Sequence, residues 1–299
     1  MENKLKNKWI LILLVGILLV VIAIPTTPAQ KEEAYALEEE IRLKSILEQT
    51  YHEYEVLIKD GGSSDDSLPV LREYLNELEE EQKKRIRIVE EKDASIYDGM
   101  NQATRYAKGE FLYFLNCGDV FYENDALEQV AKVIYADKQN AEGETASIYY
   151  GNIYDVLRKQ VVQSNPQIDA FACYRNVPCH QACIYHTGLF QERGYKTNYK
   201  VRGDYEHFLW CYFEKKVNIK YVDVVLASYE GGGFSETAEN RKRSKQEHSE
   251  ITAIYMQPKQ VFQYRLILLL TLAPLRTKMA ESRLFAGIYQ TCKRVLYNR

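Results

Sequence analysis

The chain has 299 residues, of which 46% are hydrophobic and 27% charged, enough to bury one large core or two modest ones. Its formal charge of −3 is unevenly spread: from Arg241 to the end, 12 Lys and Arg stand against 3 Asp and Glu, a net of +9 that leaves −12 on the remainder. A basic tail on an acidic body indicates an anionic partner surface, while the absence of an Arg and Lys stripe interleaved with aromatics in the body argues against nucleic acid binding.

Trp9–Ile24 is an uncharged, strongly apolar segment that follows a basic start. Three interpretations fit it: a short membrane-spanning helix, a signal peptide with its exit at residues 27–29, or a first buried strand at Leu18–Thr26. We favour a membrane-associating leader over residues 1–24 that runs into, or replaces, the first strand.

Hydrophobic periodicity and turn residues predict strands and helices that alternate through the body. The predicted strands are Glu55–Lys59, Ile86–Val89, Phe111–Leu115, Ser147–Tyr150 and Ile219–Ala227. The predicted helices are Glu32–Gln49, Leu68–Lys84, one between Val89 and Phe111, Asp125–Ala136, Asp204–Lys215 and Glu236–Met256. This alternation predicts right-handed βαβ units, so we expect an α/β fold over residues 25–257, with a mainly parallel sheet flanked by helices. Gln167–Phe190 is expected to be irregular.

The six cysteines are spaced too widely for a compact disulfide framework. One segment does gather five residues of metal-ligand type, namely Cys173, Cys179, His180, Cys183 and His186. It contains no C-x-x-C pair, and its spacings fit no zinc module, so we expect reduced thiols instead of a zinc site.

The tail, residues 258–299, is apolar in parts and studded with basic residues. Basic amphipathic helices that lie in a membrane interface have this composition. The alternative is a helix docked on the body. We favour the membrane interface.

The most informative stretch is Ile88–Phe121, in which a short apolar strand ends at Asn116 and is followed by Asp119. A carboxylate just past the carboxyl end of such a strand sits where open α/β sheets bind their ligands. Acids in that place can hold a divalent cation against a diphosphate. The alternative is an ordinary β-turn, because Asn, Gly and Asp are common turn formers.

Asp60 and Asp204 are two further candidate site residues. Asp60 directly follows a predicted strand, and Gly61 leaves room for a ligand to approach the backbone; the alternative is a glycine turn. Asp204 lies at a loop-to-helix junction, where it is either a helix cap or a general base beside an acceptor. His180 stands in a polar group of residues within an apolar stretch, and a lone histidine is more often structural.

Six motifs in register cover roughly residues 45–249. They are SILEQTY at 45–51, YEVLIKDGGSSDDS at 54–67, EKDASIYDGMNQATRYAKGEFLYFLNCGD at 91–119, PCHQACIYHTGLF at 178–190, VRGDYEHFLW at 201–210 and YEGGGFS at 229–235. In this order they resemble an inverting family 2 glycosyltransferase with a GT-A (Rossmann-like) fold, of the type that builds bacterial surface polysaccharides. Ser95 stands where that family usually has Gly, and Gly118 replaces one acid of its metal-binding motif.

The resemblance implies a role for each candidate residue. Nucleotide-sugar binding would fall to Asp60, Gly61, Asp93, Asn116 and Asp119, and the acceptor side would be shaped by His180, Gln181 and Gly232. Asp119 would also anchor the divalent cation, Mg²⁺ or Mn²⁺, and Asp204 would be the catalytic base.

The implied activity is transfer of a sugar, with inversion, from a nucleotide-sugar donor to a glycan or lipid-linked acceptor in cell-surface polysaccharide biosynthesis. The implied location is a membrane surface, at the cytoplasmic face of the plasma membrane. The departures at Ser95 and Gly118 leave an alternative, a catalytically inactive member that serves as a membrane-bound partner of active transferases. A cleaved leader would instead indicate a secreted binding protein.

Overall fold

The computed structural model describes residues 10–16, 41–63, 67–116, 118–140, 146–231 and 237–271. Gly232, predicted on the acceptor side, lies outside the described residues, and so does the tail beyond residue 271.

Strands and helices alternate along the described chain. The strands are β1 (Ile10–Gly16), β2 (Tyr54–Asp60), β3 (Ile86–Glu90), β4 (Phe111–Asn116), β5 (Val120–Phe121), β6 (Ile148–Asp155), β7 (Gln160–Val162), β8 (Cys183–His186) and β9 (Ile219–Tyr229). The helices are α1 (41–47), α2 (Ser67–Glu77), α3 (Glu80–Lys83), α4 (Ile96–Thr104), α5 (Ala126–Gln139), α6 (Ala170–Arg175), α7 (Thr187–Glu192), α8 (Gly203–Trp210), α9 (Ala238–Tyr255) and α10 (Pro258–Leu270). A 3-10 turn spans His180–Ala182, and a π-helical turn spans Cys211–Lys215.

The strands of the described residues form one sheet in the order β3-β2-β1-β4-β8-β6-β9-β5, with β7 paired to β6. The neighbours β3, β2, β1 and β4 are all parallel, as the βαβ alternation predicts. Beyond β4 the sheet is mixed, because β8 runs antiparallel to both its neighbours and β5 antiparallel to β9, while β6 and β9 are parallel. The predicted α/β fold is confirmed, and its parallel character is concentrated in β1 to β4.

Strand β1 takes the front half of the apolar segment Trp9–Ile24 and lies between β2 and β4. Its sequence, ILILLVG, suits a central parallel strand, because such strands read as continuous apolar runs. The strand alternative considered from the sequence, Leu18–Thr26, lies outside the described residues.

Two local predictions are wrong. Gln167–Phe190 is regular, since it holds α6, the 3-10 turn, β8 and the first part of α7. These elements are too short for hydrophobic periodicity to show. The helix expected at Leu68–Lys84 is two helices, because the extended backbone of Glu79 breaks it and starts α3 with a capping box to Gln82.

Strand β4 joins the two hydrophobic cores of the body. Leu112 and Phe114 pack with one core, beneath α4, α7 and α8, whereas Tyr113 and Leu115 pack with the other, beneath α1 and α5. This alternation follows from the period of two along a strand, and it buries β4 on both faces. Its carboxyl end is therefore a rigid support for side chains that project from the sheet edge.

No helix of the described residues is long and apolar enough to cross a membrane. Helix α10 docks on the body through Tyr264, whose ring packs against Phe171 and Tyr174 of α6. Its opposite face is exposed.

Candidate active site

Two predicted site residues lie at the same edge of the sheet. Asp60 is the last residue of β2 and Asn116 the last of β4, and β1 separates them. Gly16 of β1 pairs with Asp60, and Val15 pairs with Asn116, so both side chains stand at the carboxyl ends of parallel strands. This is the edge at which open α/β sheets bind their ligands.

The carboxylate of Asp60 organises the turn that follows β2. It accepts hydrogen bonds from the N–H of Gly62 (2.8 Å) and from both the N–H and the hydroxyl of Ser63. Burial raises the pKa of Asp60, but these hydrogen bonds and the charge of Lys59 outweigh it and hold the pKa below its ordinary value. Asp60 is therefore ionised at neutral pH.

A buried lysine ties Asp93 to this turn. The Nζ of Lys59, whose side chain is fully buried, donates to the carbonyls of Asp60 (2.6 Å) and Glu91 and to Asp93 Oδ2 at 3.1 Å. A Cβ on Gly61 would lie 2.4 Å from the same Asp93 oxygen. Glycine at 61 thus lets the carboxylate of Asp93 pack directly on the backbone of the Asp60 turn.

Asp119 lies just past β4 and is only 3% exposed. Its Oδ2 accepts a hydrogen bond from Gln181 Nε2 (2.8 Å), and its Oδ1 accepts one from the N–H of Glu230 at 3.4 Å. Burial raises the pKa of Asp119 to about 6, although the hydrogen bond from Gln181 and the charge of His180 act in the opposite direction.

Gly118 makes room for a second carboxylate beside Asp119. Its φ of +87° lies in the left-handed region that glycine adopts without strain. A Cβ at this position would meet Glu230 Oε2 at 2.4 Å. Glu230, which directly follows β9, therefore places its carboxylate beside the backbone of Gly118.

A chain of polar contacts connects the Asp119 turn to Asp204. Asn116 Nδ2 lies 2.7 Å from His180 Nε2, and His180 Nδ1 lies 3.6 Å from Asp204 Oδ2. The hydroxyl of Tyr97 donates to Asp204 Oδ1 at 2.9 Å. Burial raises the pKa of Asp204, but His180, the N–H of Tyr205 and the Tyr97 hydroxyl together hold it below its ordinary value. Asp204 is thus an ionised carboxylate, with 28% of its side chain exposed.

The two carboxylates of helix α8 have different surroundings. Asp204 is partly exposed in the first turn, whereas the side chain of Glu206 is fully buried. Glu206 accepts two hydrogen bonds from Arg193 (3.0 and 2.9 Å) and one from the hydroxyl of Tyr255, and it forms an ion pair with Lys196 at 2.8 Å. Glu206 joins α8 to its neighbours, and only Asp204 is placed to meet a ligand.

Among the described residues, no group of three or more His, Cys, Asp or Glu is arranged to hold a metal ion by itself. Cys173, Cys179 and Cys183 are free thiols there, and burial raises the pKa of each.

The structure adds three residues to those proposed from the sequence: Lys59, Tyr97 and Glu230. Tyr97 lies 107 positions from Asp204 and Glu230 lies 111 positions from Asp119, so no local spacing links either pair. The one local signal was Lys59, a charged residue that follows the apolar run Val56–Ile58 and directly precedes Asp60.

The fold and this edge define an α/β protein with a candidate ligand site at the carboxyl ends of its parallel strands. The profile of Glycosyl transferase family 2 matches residues 28–209. The chain therefore belongs to glycosyl transferase family 2, and it is a glycosyltransferase.

Known proteins of the same kind are similar in sequence or fold. A PGL/p-HBAD biosynthesis glycosyltransferase of Mycobacterium bovis is 34% identical over 199 residues, which cover 65% of this chain and 73% of that protein. S. aureus TarS 1-349, in complex with UDP-GlcNAc, has a TM-score of 0.59 at 17% identity, over 86% of this chain and 70% of that one. This chain covers only 43% of the S. aureus TarS chain in another crystal structure. The mannosyltransferase PcManGT of Pyrobaculum calidifontis, with GDP-Man and Mn²⁺, gives 0.59 at 17% identity over 98% of this chain and 82% of that one.

Proposed function

We propose that this glycosyltransferase moves a sugar from a nucleotide-sugar donor to a hydroxyl of a glycan or lipid-linked acceptor, with inversion at the anomeric carbon. The observation that carries the proposal is the position of Asp204. Its ionised, partly exposed carboxylate is connected through His180 and Asn116 to the turn that holds Asp119. A base and a diphosphate site joined in this way suit a single displacement.

The donor nucleotide would lie along the edge formed by the ends of β2 and β4. Asp60 and Asp93 offer acceptors to the hydroxyl and N–H groups of a nucleoside, and Gly61 allows close approach to the backbone. Solved proteins of similar fold carry UDP-GlcNAc or GDP-Man, which supports a nucleotide sugar without selecting the base.

The residues at the Asp119 turn fit a divalent cation, Mg²⁺ or Mn²⁺, that is shared with the diphosphate. Asp119 and Glu230 supply two carboxylates: the N–H of Glu230 donates to Asp119, and the Glu230 carboxylate lies beside Gly118. Mg²⁺ in nucleotide enzymes commonly uses one or two carboxylates plus phosphate oxygens. When bound there, the cation would neutralise charge on the departing diphosphate. Gln181 would hold the Asp119 carboxylate in place through its hydrogen bond.

In the proposed reaction, Asp204 accepts the proton of the acceptor hydroxyl while that oxygen attacks the anomeric carbon. The bond to the nucleoside diphosphate breaks on the opposite face, and the pair of electrons leaves with the diphosphate. His180 and Tyr97, which contact the two oxygens of Asp204, would orient this carboxylate for the reaction.

The test is Asp204→Asn, assayed by nucleotide release from UDP-GlcNAc, UDP-glucose and GDP-mannose with Mn²⁺. We expect native folding and a loss of turnover of at least about a hundredfold, the usual scale for a lost general base. Near-full activity of the variant would refute the assignment of Asp204. No nucleotide release by the wild type from any donor would favour the inactive-partner alternative.

We further propose that the enzyme works at a membrane surface, at the cytoplasmic face of the plasma membrane. The outer face of α10 carries Phe262, Leu266 and Leu269 at helical spacing, with exposed fractions of 67%, 44% and 67%. From Arg241 onward the chain has a net charge of +9. An apolar stripe within basic sequence matches an anionic lipid surface.

Sedimentation of the full chain with phosphatidylcholine vesicles, with and without phosphatidylglycerol, tests binding to an anionic membrane surface. We expect binding to require phosphatidylglycerol. In the double variant Phe262→Ser/Leu269→Ser the affinity for these vesicles should fall at least about tenfold, because each apolar side chain buried in the membrane contributes about 1.5–3 kcal/mol. Ile254→Ser, on an exposed part of α9, is the matched control and should bind like the wild type. Equal binding by all three proteins would refute the proposal for α10, and a dimer that the double variant abolishes would assign this face to a second copy.

A further inference from the structure

Helix α9 presents a buried carboxylate to the loop that precedes α8. Glu247 is 6% exposed, and its Oε1 accepts a hydrogen bond from the N–H of Lys200 at 2.8 Å. Its Oε2 accepts two more, from Val201 at 3.0 Å and Arg202 at 2.9 Å. One carboxylate thus binds three consecutive backbone N–H groups.

This arrangement requires an acid. A carboxylate has only acceptor sites and can take several donors at once, whereas a carboxamide has one acceptor oxygen and an NH₂ group. In Glu247→Gln that NH₂ would point at a backbone N–H, and at least one of the three N–H groups would lose its partner. Hydrogen bonds to an ionised acceptor are also about twice as strong as neutral ones.

The loop that Glu247 holds leads directly to Asp204. The N–H of Val201 donates to Glu247, and its carbonyl lies 2.9 Å from the Tyr97 hydroxyl. The same hydroxyl lies 2.9 Å from Asp204 Oδ1. The hydroxyl has one proton for these two acceptors, so a shift of residue 201 would change the hydrogen bond that Tyr97 gives to Asp204.

Two more contacts come from the same face of α9. Ser244 Oγ accepts a hydrogen bond from Arg202 Nε at 2.8 Å. The ring of His248 stacks on Tyr205 at 5.3 Å, directly beside Asp204 in sequence. The residues 244, 247 and 248 share one face because they are three and four positions apart.

We propose that Glu247 is a positioning residue for the base Asp204, so that α9 sets the place of the catalytic carboxylate through the backbone of residues 200–202. This inference rests on the proposed role of Asp204. The hydrogen bonds of Glu247 go to residues 200–202 and not to the donor edge at β2 and β4. Its effect should therefore fall on turnover and spare donor binding.

The test compares Glu247→Gln with Glu250→Gln, an exposed acid on the same helix whose substitution removes the same charge. We expect Glu247→Gln to lower kcat at least about tenfold, since a displacement of about 1 Å at reacting groups can cost about a hundredfold. The donor KM and the affinity for free UDP or GDP, measured by calorimetry, should stay within about twofold of the wild type, because no donor contact changes. Glu250→Gln should match the wild type in every measurement.

Three outcomes are decisive. A kcat for Glu247→Gln equal to that of Glu250→Gln overturns the inference, and so does a rise in donor KM or weaker nucleotide binding in step with the lost activity.

If circular dichroism shows that Glu247→Gln does not fold, Glu247→Asp replaces it in the test. This variant keeps the charge, and it should lower kcat at least about threefold with donor KM unchanged. Full activity of Asp204→Asn would instead refute the base itself, whatever Glu247→Gln does.

Discussion

Glu206 and Asp204 stand two positions apart on α8. The structure predicts that replacing Glu206 by its amide lowers stability, whereas replacing Asp204 by its amide lowers activity. Glu206→Gln replaces a fully buried carboxylate that binds Arg193 through two hydrogen bonds, Lys196 through an ion pair and Tyr255 through a hydrogen bond. The glutamine NH₂ would face the guanidinium donors, so Arg193 would lose one of its two contacts. The variant should therefore lose stability.

The magnitude follows from the burial of the partners. Removing one member of a buried ion pair costs about 3–5 kcal/mol. The side chains of Arg193 and Lys196 are 24% and 40% exposed and can turn towards water, which favours the lower end of that range. At about 2 °C per kcal/mol for a chain of this size, a loss of about 3 kcal/mol lowers Tm by about 6 °C.

Calorimetry and the nucleotide-release assay together check this prediction. Below its melting range, Glu206→Gln should retain most of the wild-type kcat, while Asp204→Asn should melt close to the wild type and be nearly inactive. Burial raises the pKa of Glu206, but Lys196, Tyr255 and Arg193 hold it below its ordinary value. The stabilisation by the ionised group is thus present at neutral pH and lost only as the pH falls through that lowered pKa. A Tm within about 1 °C of the wild type, against the roughly 2 °C expected per kcal/mol, would refute the reasoning.

Two further predictions concern the donor side. Gly61→Ala would place a Cβ 2.4 Å from Asp93 Oδ2 and displace that carboxylate. We therefore expect the affinity for free UDP or GDP, measured by calorimetry, to fall at least about tenfold, a loss of about 1.4 kcal/mol, while kcat is less affected. An unchanged affinity would show that Asp93 does not contact the nucleotide. Because burial raises the pKa of Asp119 to about 6, protons should compete with the cation below that pH, so activity should fall there and recover in part with added Mn²⁺. Acid loss of activity that no Mn²⁺ concentration changes would contradict a cation on Asp119.

Much of the fold could be predicted because it depends on local pattern. The apolar run Phe111–Leu115 predicted a strand buried on both faces, and β4 is buried on both faces. Alternating strands and helices predicted a mainly parallel sheet, since a βαβ unit has one favoured hand, and β2, β3 and β4 run parallel in it. The elements within Gln167–Phe190 escaped prediction, because strands and helices of four to six residues leave no periodicity to detect.

The sequence by itself determined which residue types stand at the carboxyl ends of the strands, because Asn116 directly follows an apolar run and Asp60 follows one after a single lysine. It also carried the six motifs that resemble the glycosyltransferase family. Only the tertiary structure decided which carboxylates share an environment. Glu230 reaches the space beside Gly118 through the pairing of β5 with β9, and Glu206 is buried while Asp204 is not. Burial and charge pairing depend on which distant elements meet, and no local spacing along the chain encodes that.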